Sequence, residues 1–156
     1  MVQANEILTN LWLGDIKDSK HIEFINNIDV IINCTKNLPF INKSKKCLRI
    51  NVEDNLKKIE IINLYKYLDS ITKVIDNYLR NNLKIFVHCY AGKQRSATVI
   101  CAYLIKYLKL PLKDAKQLII SKRKHVFTPL TNFIGALELF EQNNLSKYDQ
   151  LTQAKD

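Results

Sequence analysis

Cys89 and Arg95 are the residues whose types and spacing can do chemistry. They lie in the run His88-Cys89-Tyr90-Ala91-Gly92-Lys93-Gln94-Arg95-Ser96-Ala97, between one apolar segment ending at His88 and another beginning near Arg95. A strand that turns directly into a helix sets successive backbone N–H groups at the positive end of the helix dipole, a concavity suited to a phosphate-sized anion. The expected cradle is the amides of Tyr90, Ala91, Gly92, Lys93, Gln94 and Arg95, with Gly92 supplying the positive φ that such a turn often needs. A thiol at the start of the turn has its anion stabilised by those amides, by the dipole and by Arg95, which makes Cys89 a candidate nucleophile near neutral pH. Arg95, six residues on, can fold back and offer a planar fork to two phosphate oxygens, as Lys cannot. The competing reading of Cys89 is a small buried hydrophobe, and the loop context weighs against it. His88 is expected to orient the loop by hydrogen bonding rather than to carry protons.

The elements that must position these groups follow from hydrophobic periodicity. Ile7 to Leu13, Asp29 to Cys34 and Leu83 to His88 read as strands, with Cys47 to Val52 a weaker fourth. Ile61, Tyr65, Leu68, Ile75 and Leu79 recur at helical steps, thickened by Ile71 and Tyr78, which predicts a long amphipathic helix. Asp69 and Asp76 are assigned to its solvated face. A shorter helix is expected from Ser19 to Asn26. After His88 only helical patterns follow. Ser96 to Leu108 is apolar nearly all round and is read as buried in the middle of the domain; then come Leu112 to Arg123 and Leu130 to Gln142, the last with Thr128 as N-cap and Pro129 at its first position. Strands alternating with helices predict a single α/β domain over 1–143: a central, mostly parallel sheet flanked by helices, with the phosphate-binding loop between a buried strand and a buried helix. Residues 144–156 lose periodicity and are expected to fray.

Composition bounds the function classes. At 156 residues and 47% hydrophobic, with only 3 Gly and 3 Pro, the chain can bury a core, which excludes collagen-like and disordered classes. No apolar run reaches the roughly 18 residues of a membrane span. The opening residues lack the basic and apolar regions of a secretory signal, so a cytoplasmic, reducing location is expected, with Cys34, Cys47, Cys89 and Cys101 as thiols. His21, His88 and His125 have no zinc-type spacing, and no metal or other cofactor is expected. The net charge is 24 − 15 = +9, but 20 of the 24 positive residues are Lys beside 20 Ile and 16 Asn, a mixture typical of AT-rich codons. The charge favours anionic partners in general and is weak support for nucleic acid.

The loop sequence resembles the signature of the small dual-specificity phosphatases, within the cysteine-based protein tyrosine phosphatases. Asn10-Leu11-Trp12-Leu13-Gly14 is similar to that family's opening strand and Val30-Ile31-Ile32-Asn33-Cys34-Thr35 to its second. Ala102-Tyr103-Leu104 and Leu112-Lys113-Asp114-Ala115 are similar to its helical half. The resemblance covers roughly residues 5 to 142. It implies thiolate attack by Cys89 on a phosphomonoester, a cysteinyl-phosphate intermediate and hydrolysis by water without metal, with phosphorylated proteins as partners. It also implies a general acid after the strand-like run Ile50-Asn51-Val52, placed at Asp54 with Glu53 as the alternative, and a Ser96 hydroxyl that assists the leaving thiolate. For Asp54 the competing reading is a turn or helix cap, and for Ser96 a plain cap. Arg123 matches an Arg that in some members contacts a second phosphate, against which stands solvation at a helix end. Cys34 is either core or a disulfide partner for Cys89.

Several residues depart from the family pattern. Gln94 stands where a small residue or Asn is common, Lys93 adds charge beside the pocket, and Leu130 replaces an Asn usual after Pro129, weakening an expected hydrogen bond behind the loop. Lys93 is reminiscent of phosphoinositide phosphatases in the wider superfamily. The absence of a long inserted segment implies a shallow cleft that admits phosphoserine and phosphothreonine as well as phosphotyrosine. The expected activity is therefore dual-specificity protein dephosphorylation. The alternatives are a phosphoinositide or RNA 5′-phosphatase with the same chemistry, or a catalytically silent phosphoprotein-binding module.

Overall fold

Period-two alternation in the short apolar runs builds a sheet with two different faces. The computed structural model describes residues 1–145. It contains β1 (Asn5–Leu8), β2 (Leu11–Gly14), β3 (Val30–Asn33), β4 (Lys46–Arg49) and β5 (Ile85–His88) in one sheet of order β1-β2-β5-β3-β4. All pairs are parallel except β1 with β2. The central strand β5 pairs on both sides, and Ile85 aligns with both Leu11 and Val30. Leu11, Leu13, Val30, Ile32, Ile85 and Val87 point to the main core, while Trp12, Ile31 and Phe86 point to a smaller cluster on the opposite face. That alternation is the pleat of a strand expressed in burial.

The helices divide between the faces. α1 (Ile16–Ser19) and α2 (Ile22–Asn26) lie on the side of the smaller cluster, where Ile25 packs with Phe86 and the Phe24 ring meets it edge-on at 5.0 Å. α3 (Lys58–Arg80), α4 (Arg95–Tyr107), α5 (Leu112–Lys122) and α6 (Ile134–Asn144) cover the other face. α4 packs against α3, α5 and α6 as well as the sheet, so every residue from Ser96 to Ile105 is buried. This is the all-round apolar helix expected from the sequence. On α3 the buried stripe is Leu64, Leu68, Ile71 and Ile75, with Tyr65 and Leu79 at its margin. Asp69 is exposed and meets Lys106, but Asp76 is not on a solvated face: it accepts the Tyr103 hydroxyl at 3.2 Å and pairs with Arg80.

Four element boundaries differ from expectation. The first run is two antiparallel strands, because Asn10 adopts a positive φ of 70° and reverses the chain. The early helix is two, separated where His21 caps α2 through its ring nitrogen. β4 begins earlier, at Lys46, and the chain has left the sheet by Val52. The last helix starts at Ile134 rather than Leu130, since side-chain bonds from Gln94 hold 128–132 outside it; the Thr128–Pro129 peptide is cis, and Thr128 bonds His125 O instead of capping. The helix continues to Asn144 and Leu145 is buried, so the fraying expected from 144 does not begin there. The remainder of that expected tail, 146–156, lies outside the described residues.

Because α4 joins both helical neighbours to the sheet, its interior tolerates little loss of volume. Leu104→Ala, at a fully buried position, is expected to lower the unfolding free energy by about 2–5 kcal/mol, read from urea denaturation of the reduced protein.

Candidate active site

The run from Cys89 to Gln94 leaves β5 and enters α4, and its geometry is governed by where its carbonyl groups go. The Cys89 carbonyl accepts from His88 Nδ1 at 3.2 Å and the Tyr90 carbonyl from the Ile16 amide at 3.0 Å. Arg123 holds the Ala91 and Gly92 carbonyls through Nη2 and Nε at 3.4 and 2.9 Å. The Lys93 carbonyl accepts from the Phe127 amide at 3.0 Å, and the Gln94 carbonyl from the amide and hydroxyl of Thr98 at 2.8 and 2.7 Å. A trans peptide unit is planar with C=O and N–H opposed. Six carbonyls drawn outward therefore turn the N–H groups of Tyr90 through Arg95 inward, at the N-terminus of a buried helix where partial positive charge collects.

Cys89 sits at the floor of this concavity, 3% exposed, with Sγ 3.1 Å from Ser96 Oγ and 3.3 Å from the Gly92 amide, which donates to it. Ser96 is thus turned to the sulfur and is not the helix cap; the cap position is Gln94. Gly92 has φ +67°, and a Cβ there would stand 2.5 Å from the Gly14 carbonyl oxygen, so the turn requires glycine on both conformational and steric grounds. Arg95 donates Nη1 to the Val52 carbonyl at 3.0 Å, which leaves the Nε–Nη2 edge as its fork; Nε is buried and has no hydrogen-bond partner among the described residues. Cys89, Arg95, Asp54, Tyr90, Ala91, Lys93, Gln94, Thr128 and Asn132 line one cleft of about 360 Å³. Asp54, not Glu53, lines it. Neither is a helix cap, since α3 begins at Lys58 behind Lys57; the Glu53 amide is tied to the Glu60 carboxylate.

Behind the loop, His88 is buried and stacked on Phe86 at 5.2 Å. Burial pushes its pKa down to about 4, with Arg49 and Arg95 adding to the effect and the bond to the Cys89 carbonyl and Asp15 opposing it. A neutral ring is able to donate Nδ1–H to that carbonyl. Cys34 donates its amide to the His88 carbonyl at 2.7 Å and is a free, buried thiol; burial, reinforced by the neighbouring Cys89 and opposed by Arg95, raises its pKa well above the usual value. Cys34 is therefore a core residue, as one of its two readings had it, and its thiol lies near Cys89. Among the described residues no group of His, Cys, Asp and Glu could hold a metal ion, and no helix is long and apolar enough to cross a membrane.

Arg123 is engaged more fully than a solvated helix end would be: besides the two loop carbonyls it donates to Gln3 O and Asn5 Oδ1 at 3.0 and 2.9 Å, and it also lines a second cleft beside the loop. It bolts the outside of the loop to the N-terminal segment. Leu130 offers no side-chain bond, but its main chain joins the loop: Gln94 Nε2 reaches the Leu130 carbonyl at 2.7 Å, while Gln94 Oε1 accepts the Asn132 amide at 2.9 Å. Sequence reasoning missed Phe127, Thr98 and Asn132. Thr98 carried a signal, standing four residues after Gln94, where a hydroxyl bonds back to the preceding turn. Phe127, with φ +62° and a buried ring under the Lys116 ammonium, carried none.

Two measurements follow from this geometry. The native site keeps His88 unprotonated down to about pH 4 while the unfolded chain takes up that proton near 6.5. The unfolded state therefore binds more protons between these values, and stability present above 6.5 falls by about 3 kcal/mol as pH drops toward 4. His88→Gln is expected to flatten that slope in urea unfolding compared between pH 4.5 and 7. Arg123→Gln is expected to leave the protein folded by circular dichroism and to weaken binding of inorganic phosphate about tenfold, roughly 1.4 kcal/mol, by calorimetry.

Comparisons with known proteins agree with this architecture. The family model for the dual specificity phosphatase catalytic domain matches residues 11–143. Human dual specificity protein phosphatase 9 is 36% identical over 146 residues, covering 88% of this chain; the chain spans only 36% of that relative's length. The protein 123R of Invertebrate iridescent virus 6, named a tyrosine phosphatase, is 34% identical over 151 residues, covering 94% of this chain and 99% of its own. Among solved structures, DUSP15 superposes with a TM-score of 0.80 at 24% identity, covering 98% of this chain and 96% of its own, a likeness of fold. Human tyrosine phosphatase-like serine/threonine/tyrosine-interacting protein gives 0.80 at 25% identity, over 92% and 98%. A single α/β domain with its cysteine at the floor of an amide cradle, matched by that model over nearly its whole length, belongs to the dual-specificity protein phosphatase family and carries its catalytic domain.

Proposed function

We propose that the chain hydrolyses phosphotyrosine and phosphoserine or phosphothreonine in proteins through a cysteinyl-phosphate at Cys89. The observation that carries this reading is the sulfur held between Ser96 Oγ and the Gly92 amide at the focus of the inward amides, with Asp54 lining the same cleft. In the first step the Cys89 thiolate attacks phosphorus as the phosphorus–ester oxygen bond breaks, and Asp54 gives its proton to the departing oxygen. The amides of Tyr90 to Arg95 and the Arg95 fork take up the charge of the equatorial oxygens, which are more strongly bound in the transition state than in the ester. In the second step Asp54, now a carboxylate, accepts a proton from water whose oxygen attacks phosphorus. The phosphorus–sulfur bond breaks, phosphate leaves, and the thiolate returns to the Ser96 hydroxyl and Gly92 amide. An open cleft of about 360 Å³ suits a phosphoryl group on short as well as aromatic side chains. The chemistry needs a reduced Cys89, in keeping with a reducing, cytoplasmic setting.

A second reading, the same chemistry on a phosphoinositide or an RNA 5′-phosphate, is favoured by one observation. A further cleft of about 490 Å³ shares Ala91 and Lys93 with the first and is lined by Lys122, Lys124 and His125. Turnover on phosphopeptides, lipid headgroups and triphosphorylated RNA separates the two, and a hundredfold preference for a non-protein substrate overturns the protein-phosphatase reading.

The test of mechanism is hydrolysis of a small aryl phosphate without metal from pH 5 to 8. Cys89→Ser is expected to abolish activity, Arg95→Lys to lower kcat by about 10²–10³ through loss of the bidentate fork, and Asp54→Asn to flatten the basic limb of the profile. Inactive reduced wild-type protein would overturn the assignment and favour phosphoprotein capture.

A further inference from the structure

Asp54 is not held by its own loop alone. Its Oδ1 accepts Asn132 Nδ2 at 2.9 Å, from a residue 78 positions away on the segment leading into α6. The Asn132 amide in turn donates to Gln94 Oε1 at 2.9 Å, and Gln94 belongs to the phosphate loop and fixes the same segment through the Thr128 and Leu130 carbonyls. From the other side Arg95 grips the Val52 carbonyl two residues before Asp54. The carboxyl group is thereby referred to the anion cradle by side chains of the cradle itself. The chemistry of the contact sorts the two carboxyl oxygens. An amide N–H occupies Oδ1 as acceptor, so the transferable proton belongs on Oδ2, and the rotation of the carboxyl group about its Cβ–Cγ bond is set by that one bond. We infer that Asn132 is a positioning residue for proton donation, holding Asp54 so that Oδ2 meets the leaving oxygen of a phosphoryl group seated on the cradle. This rests on the proposed role of Asp54 as the general acid.

Leaving groups of different acidity separate positioning from structure, because only a poor leaving group depends on receiving a proton. The experiment measures kcat/KM, which reports the step that breaks the ester and not hydrolysis of the shared cysteinyl-phosphate, for phenyl phosphate and for p-nitrophenyl phosphate with wild type, Asp54→Asn, Asn132→Ala and the double variant, each checked for an unchanged unfolding midpoint. Asn132→Ser serves as a second replacement. The expected result is a loss with Asn132→Ala at least tenfold greater on phenyl phosphate than on p-nitrophenyl phosphate, in the same sense as Asp54→Asn. The double variant is expected to be no worse than Asp54→Asn. Equal losses on both esters, no loss on either, or losses that multiply in the double variant would each overturn the inference. If Asp54→Asn itself shows no dependence on the leaving group, the assignment of the acid fails instead, and the inference with it.

Discussion

A planar peptide unit cannot point its carbonyl and its N–H the same way, and the site depends on that constraint. For amides to converge on an anion, the carbonyls of the same units must diverge, and each needs a partner elsewhere. From Cys89 to Gln94 every carbonyl has one, and the partners come from all around the fold: His88 on β5, Ile16 opening α1, Arg123 closing α5, Phe127 beyond it and Thr98 within α4. The cradle is thus an imprint of the surrounding structure. Its inward polarity is the complement of outward bonds made by residues that never touch the ligand.

Keeping those partners in place explains features that otherwise look unfavourable. A buried histidine costs desolvation of its charged form, and here the ring stays neutral, stacked on Phe86, with a single donor turned to the Cys89 carbonyl. Phe127 occupies the left-handed region, which costs on the order of 1–3 kcal/mol for a bulky residue, yet its ring is buried and its amide caps the Lys93 carbonyl. Gly92 lies against the Gly14 carbonyl, where no Cβ fits, and a Cβ on Gly14 itself would run into Asp18 and Phe86. Arg123 uses nearly the whole of its guanidinium on main-chain and amide oxygens, and so joins the N-terminal strand at Asn5 to the loop at Gly92, 87 residues later.

The loop bearing Asp54, the proposed general acid, is governed from the same centre. Arg95 and Gln94 are adjacent in sequence but face different ways, one to the Val52 carbonyl and one to the segment carrying Asn132. Groups from both sides of the cleft are therefore set relative to the cradle rather than independently. A proton donor and a nucleophile must agree in position to fractions of an ångström for a displacement in which one bond forms as another breaks.

The chain's sequence alone determined the elements whose signal is local. The α/β alternation, the buried helix after His88 and the strand-loop-helix carrying Cys89, Gly92 and Arg95 are legible because periodicity, a glycine and a six-residue spacing act over short stretches of chain. Ser96 and Asp54 were readable through resemblance in the same stretches. Only tertiary structure decided the rest. The start of the last helix was misread because Thr128-Pro129 is a good local start signal, overruled by a glutamine 34 residues earlier. Asp76 was misread because a charged residue on an amphipathic helix is usually solvated, whereas Tyr103 arrives from another helix to meet it. Arg123 and Asn132 act across 31 and 78 residues, on a carbonyl and a carboxylate that no spacing announces. A hydrogen bond is formed by proximity, and proximity between distant residues exists only after the sheet order and helix packing have been set.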